Sequence, residues 1–199
     1  MKLEVRKAEA RDLPEIKRLT DVYISEDYYS LDALAGMLRG DRNLFYVVTD
    51  ADKGDAIISY FYAFLAELDE ALQILHVPEK PEALQKYRGD TLVAVYKASS
   101  TEKAYRKHGI CSSFVRDQEP VVKARGAKLI LATALHPVGR EVPMRHIFLD
   151  NGFRPIADIY RPWANIRGYC PYCKEEYCTC DAVFYIKKLD DTEGEDSHG

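Results

Sequence analysis

The sequence predicts a single α/β domain built on a mixed central sheet of about six to seven strands with helices on both faces. Three observations predict it. Stretches of strand length rich in β-branched and aromatic residues recur along the chain. In the first half, two of them are joined by "ADKG" (51–54), which has hairpin chemistry. In the second half, strands alternate with helix-length amphipathic stretches, as crossover connections require. Hairpins and crossovers in one chain call for a mixed sheet.

Each element has a local reason. "LEVRKA" (3–8) alternates as a strand does. Asp12 and Glu15 have capping-box spacing and Pro14 suits a first turn, so a helix is expected to about Leu19. A second helix covers 31–38 and stops at Gly40. "NLFYVVTD" (43–50) and "DAIISYFYAFL" (55–65) are the hairpin strands, and 66–90, interrupted by Pro78 and Pro81, holds one or two short helices. "TLVAVYKASST" (91–101) is the next strand. A helix follows Gly109, with Ile110, Phe114, Val121 and Val122 as its apolar positions and a kink or stop at Pro120. "AKLILATAL" (127–135) reads as a buried strand. A short helix at 144–149, a stop at Gly152, a strand at 153–160, a cysteine-rich segment and a strand at 182–188 complete the order.

The chain of 199 residues, 47% apolar and 30% charged, has the composition of one soluble globular unit. Residues 1–189 are expected to form that domain, with a cysteine-rich metal-binding loop at 165–181. The net charge of −4 arises in the last ten residues, "DDTEGEDSHG" (190–199), which carry five carboxylates and no lysine or arginine. That tail is expected to be disordered. The remainder is near neutral, so no nucleic-acid partner is indicated. No apolar run approaches the roughly 18–20 residues of a membrane span, and the N-terminus lacks a signal-peptide core. A cytoplasmic location without a membrane partner is the expectation.

Four of the five cysteines lie in "CPYCKEEYCTC" (170–180). In a chain without a secretion signal such clustering points to metal before disulfides. A C-x-x-C turn presents two thiolates to one ion, and "KEEY" is long enough to bring Cys178 and Cys180 back onto Cys170 and Cys173. The expected occupant is a structural zinc ion, with free thiols, disulfides or an iron site as alternatives. Four thiolates on Zn²⁺ sum to a charge of −2, which Arg161, Arg167, Lys174 and Lys187 would offset. The loop is expected to brace the substrate cleft, with Trp163 and Tyr169 beside it.

The remaining motif is "YRKHGICSSF" (105–114). A helix N-terminus presents unpaired N–H groups and a partial positive charge, so it can hold a pyrophosphate. Gly109 allows close approach, and Arg106 and Lys107 add charge. Alone, the pattern also fits an ordinary helix start. In its setting, after a strand and before a helix, then "LILATAL" and "FLDNGFRPI", it resembles the GNAT superfamily of N-acetyltransferases. The likeness spans about 3–160 plus the last strand. That family's loop reads Gln/Arg-x-x-Gly-x-Gly/Ala, matched here at Arg106 and Gly109, and "NGF" (151–153) matches its helix-to-strand turn.

The resemblance implies acetyl-CoA as cosubstrate and direct acetyl transfer to an amine of a small molecule or protein. It implies pyrophosphate contacts from Arg106, Lys107, His108, Gly109, Ile110, Cys111 and Ser112. It also places Ser99 and Thr101 beside the pantetheine arm. Glu102 is the first candidate for a catalytic base and His136 the second. Glu67, Asp69 and Glu70 would attract a cationic amine, although such runs are ordinarily solvated. Two positions depart from the family pattern. Cys111 stands where Gly or Ala is usual, as a small filler or a reactive thiol at a helix start. Phe148 aligns with a frequent tyrosine acid, so another acid or solvent serves, or the protein is a catalytically weak or inactive CoA-binding or interaction module with a structural zinc site.

Overall fold

The computed structural model describes residues 1–189; the acidic tail expected at 190–199 lies outside the described residues. The strands are β1 (Leu3–Lys7), β2 (Asn43–Asp50), β3 (Ala56–Glu67), β4 (Leu92–Thr101), β5 (Leu129–His136), β6 (Arg154–Ile159) and β7 (Asp181–Lys188). The helices are α1 (Leu13–Tyr23), α2 (Leu31–Met37), α3 (Leu68–Ile74), α4 (Ile110–Asp117), α5 (Glu119–Ala124) and α6 (Arg145–Asp150). The strands form one sheet in the order β1-β2-β3-β4-β5-β7-β6. Among the described residues no helix is long and apolar enough to cross a membrane.

Strand alternation sorts the core into two faces. Ala94, Ile130, Ala132 and Tyr185 pack against Phe114 and Val115 of α4, Val122 of α5 and Phe148 of α6. On the other face Val93, Leu129, Leu131, Phe184 and Ile186 pack against Leu68, Ala71 and Leu72 of α3. Phe45, Val47, Tyr60 and Tyr62 cover α1 and α2 on that same side.

All neighbours pair antiparallel except β4 and β5, which run parallel. That parallel pairing joins Val93, Ala94 and Val95 to Leu129, Ile130 and Leu131 and goes no further. Beyond Val95, β4 stays with β3 while β5 stays with β7, so the sheet opens in its middle. A register shift opposite Tyr62 and Ala63 leaves Lys97 without a partner on β3, at the start of that opening. Two further register shifts skip Ile58 opposite β2 and Ile156, next to Pro155, opposite β7, and the latter bends the edge strand β6.

The element boundaries follow the sequence pattern closely, with one local correction. The expected Asp12–Glu15 capping box does not form. Asp12 has a helical backbone and makes no side-chain cap to α1. Its carboxylate turns back to accept from the Glu9 amide (2.8 Å) and from both terminal nitrogens of Arg6 (2.6 and 2.8 Å). Glu15 pairs with Arg18 instead. A guanidinium six residues away outcompetes an amide three residues away because it binds a carboxylate bidentately. The helix also runs on to Tyr23, its buried Thr20 hydroxyl donating to Ile16 O (2.8 Å) and meeting the Tyr60 hydroxyl.

Burial opposes ionisation of Asp12, but the Arg6 guanidinium and the Glu9 amide outweigh it and hold the carboxyl below its ordinary value. A carboxylate depressed in the folded state stabilises fully above its unfolded pKa of about 3.9 and loses that contribution as pH falls toward its folded value. Denaturant midpoints should therefore fall more steeply below about pH 4 for the parent protein than for Asp12→Asn. Parallel pH profiles of the two would remove this role from the Arg6–Asp12 pair.

Candidate active site and metal centre

The turn before α4 is built from left-handed residues. Lys107 has φ +66 and Gly109 φ +76. The first main-chain bond of the helix runs from Ser113 N–H to Gly109 O (2.8 Å), and no side chain caps the end. The amides of Ile110, Cys111 and Ser112 thus form an open first turn. A Cβ placed on Gly109 would meet nothing within 4 Å, so the space before the turn is free. From α6, Asn151 Nδ2 donates to Ser112 Oγ (3.1 Å) and Ile147 O (2.7 Å), which fixes the turn against the "NGF" corner. Arg106 donates from Nε to Thr101 O (3.0 Å), and its guanidinium lies 4.4 Å from the Tyr23 ring centre. His108 Nδ1 lies 3.0 Å from Arg106 O.

A cleft of about 250 Å³ occupies the opening between β4 and β5. Tyr96, Lys97, Ala98 and Ser99 line it from β4, and Thr133, Ala134 and Leu135 from β5. Ser99 Oγ lies 3.5 Å from Cys111 Sγ, so the cleft reaches the first turn of α4. Met144 and Phe148 close the α6 side; the Phe148 ring packs on Phe153 (4.9 Å) and Tyr185 (5.0 Å). Lys97 Nζ donates to Ile74 O (3.1 Å).

The candidate residues divide on this geometry. Ser99 lines the cleft. Thr101 does not: its carbonyl serves Arg106 and its hydroxyl meets Ser59 Oγ at 2.9 Å. Glu102 is outside the lining as well. It accepts from Arg18 (2.7 Å), from the Lys103 amide (3.2 Å) and, over a very short contact, from the Tyr23 hydroxyl. Tyr23 first and Arg18 second hold its carboxyl below the usual range, which makes it a weak proton acceptor. His136 stands at the end of β5, on the strand face of Ala132 and Ala134, and does not line the cleft. Glu67, Asp69 and Glu70 begin α3 away from it. Burial pushes the Cys111 thiol up, against the lowered value that a reactive thiol at a helix start would show. Sequence reasoning missed Tyr23 and Lys97. Tyr23 enters through helix packing, and Lys97 through a register shift; neither leaves a local signal.

The cysteine segment also borders the cleft. The ligand atoms of Cys170, Cys173, Cys178 and Cys180 all lie within 4.8 Å of one another. The Cys178 thiol, aided by the amides of Cys173 and Tyr172, pushes the Cys170 thiol down to about 5. Lys174 takes φ +62 directly after the C-x-x-C turn, and its amide donates to Cys170 O (2.8 Å). The amides of Cys173 and Tyr172, directed at the Cys170 sulfur, suit a thiolate ligand. Of the expected countercharges, Arg167 pairs with Glu176 (2.5 Å) and Lys187 is engaged by Glu119 and Asn151 O.

Cys170, Cys178, Trp163 and Tyr172 line the cleft from this segment; Tyr23, Ser25 and Tyr28 line it from the end of α1 and the loop beyond. The two walls touch. Glu26 N–H donates to Tyr169 O (3.1 Å). A Cβ on Gly168 would come within 2.5 Å of Glu26 O and 2.8 Å of Ser25 Oγ.

Neither a family model nor a curated protein matches this sequence. Solved structures do. The NatC complex bound to Gag peptide and CoA is similar with a TM-score of 0.65 at 18% identity, covering 96% of this chain and 100% of that one. Arabidopsis thaliana NAA60 with a bisubstrate analogue gives 0.66 at 13%, covering 94% and 98%. The Streptococcus pneumoniae acetyltransferase of the GNAT family gives 0.62 at 13%, covering 94% and 99%. With its parted central strands, its open turn before α4 and these neighbours over almost its whole described length, the chain has the fold of the GNAT N-acetyltransferases.

Proposed function

We propose that the protein is an acetyl-CoA-dependent N-acetyltransferase that passes the acetyl group directly to a primary amine. One observation carries this reading: Ser99, which lines the cleft between the parted strands, lies 3.5 Å from Cys111 in the open first turn of α4, so the two features adjoin. The pyrophosphate is held by the amides of Ile110, Cys111 and Ser112 with Gly109 giving room, and Arg106, Lys107 and His108 surround it. From Lys97 onward β4 has an edge unpaired by β5, to which the amides of the pantetheine arm add as another strand would. Thr101 anchors Arg106 rather than the ligand.

The amine nitrogen attacks the thioester carbonyl carbon, the C–S bond breaks, and CoA leaves as its thiolate. The bulge at Lys97 frees main-chain groups beside the cleft, where donors would polarise the carbonyl oxygen. A thiolate is a far better leaving group than an alkoxide or an amide anion, so its departure depends little on an acid in the place of Phe148. Among the described residues no carboxylate and no histidine lines the cleft. The amine therefore arrives neutral, and its proton passes to water. Near pH 7.5 an α-amino group (pKa about 7.7–8.0) is about two orders of magnitude richer in the neutral form than a lysine side chain (about 10.4). The acceptor class is accordingly an α-amine of a peptide or protein, or a small amine of equally low basicity. The peptide-bound neighbour supports this choice.

The same reading gives the four clustered cysteines a structural zinc ion. A tetrahedron of Zn–S bonds of about 2.3 Å has sulfur separations of about 3.8 Å, within easy reach of atoms already inside 4.8 Å of one another. Phe148 favours a second reading, a CoA-binding module without turnover; CoA binding with no CoA release over a panel of amines would establish it.

CoA should raise the melting temperature and bind measurably by calorimetry, and no shift at millimolar ligand would remove the proposal's main support. Gly109→Asp should weaken binding by about tenfold or more, since it sets a carboxylate against the pyrophosphate, whereas Gly109→Ala reports the backbone strain alone, about 1 kcal/mol of stability. In a rate profile, kcat/KM for a peptide α-amine should climb with the titration of that amine near pH 8, while Glu102→Gln leaves the ascending limb in place. A limb that disappears in Glu102→Gln would make Glu102 the base after all.

A further inference from the structure

We propose that the loaded tetracysteine centre builds the acceptor end of the cleft, so that zinc is required for capture of the amine but not for binding of CoA. This rests on the acetyltransferase reading above and assigns the centre a role within that site. The segment 160–180 has little regular structure of its own: its pairing is an isolated bridge between Arg167 and Tyr177. Its small core consists of Cys170, Cys178 and Cys180 with Leu135, Trp163 and Tyr172 around them. A segment of this length without helix or strand holds its shape only through such a core. Here the core atoms are metal ligands, so the ion orders the loop.

The ordered loop then fixes a second one. Tyr169 O takes the Glu26 amide, and Gly168 fits against Glu26 O and Ser25 Oγ so closely that no side chain is tolerated there. Through these contacts the loop positions Ser25 and Tyr28, which line the same cleft as Trp163 and Tyr172. The pyrophosphate turn is fixed by Asn151 and Thr101, neither of which belongs to the cysteine segment, and by Arg106 lying over the Tyr23 ring of α1, a helix held to the sheet by its own contacts. Metal loss consequently opens the acceptor end and spares the CoA end.

The test uses the full chain, prepared with zinc and then stripped by a chelator, with a pool of short peptides bearing free α-amines as acceptors. Elemental analysis should give one zinc per chain, and cobalt(II) should replace it with the absorption of a tetrathiolate site. Stripping should leave the CoA dissociation constant within twofold, raise the acceptor KM at least tenfold, and speed amide exchange at Glu26 at least tenfold. Less than half an equivalent of zinc, or a stripped protein with unchanged KM and unchanged Glu26 exchange, overturns the proposal. If the peptide pool is not turned over at all, Glu26 exchange alone decides. If stripping unfolds the chain, Gly168→Ala is the deciding variant, because it keeps all four thiols. Retained zinc with faster Glu26 exchange supports the coupling, and unchanged exchange refutes it. Failure of CoA to bind either form would sink the acetyltransferase reading while metal content and Glu26 exchange still judge the link between the loops.

Discussion

The organising constraint of this molecule is the early end of pairing between β4 and β5. Two parallel strands that hold together for three residues and then separate create a gap in a sheet that is otherwise continuous. Each strand remains paired along its other side, β4 to β3 except at Lys97 and β5 to β7, so both rims of the gap are held by the sheet. Everything that acts as a binding feature is arranged around it. The bulge at Lys97 marks its start, the turn before α4 adjoins it, and the cysteine segment borders it.

The pyrophosphate turn is tied to α1 by a polar chain as well as by the sheet. Glu102 joins Arg18 and Tyr23 of α1 to the residues leading into the pyrophosphate turn, and Arg106 lies over the Tyr23 ring. This explains why the carboxylate nearest the turn is poorly placed for proton transfer: it holds α1 to β4. A group whose charge is fully used in structure has little basicity to offer.

Much of the fold was legible in the sequence. Strand alternation, the hairpin turn, Pro120 and Gly152 are local signals, and they positioned the elements closely. The turn at Arg106–Ser112 was legible because a helix start after a left-handed glycine is itself a local feature. The clustered cysteines were legible by spacing. What stayed hidden depends on contacts between distant segments: the parting of β4 from β5, the register shift at Lys97, the approach of Tyr23 to Glu102, and the meeting of Gly168 with Glu26. The capping at Asp12 failed for the same reason, since Arg6 reaches it from β1. Local pattern sets which residues face inward; it does not say which partner arrives first.

The bend in β6 has a consequence for the outer rim of the sheet. Pro155 has no main-chain proton to give, and the irregularity beside it turns the strand out of line. A further strand offered to that rim would find a crooked template that contains a proline within a segment of only six residues. The sheet is therefore terminated by its own chemistry on this side, and growth into a stacked, edge-joined aggregate is blocked where the chain would otherwise be most open to it.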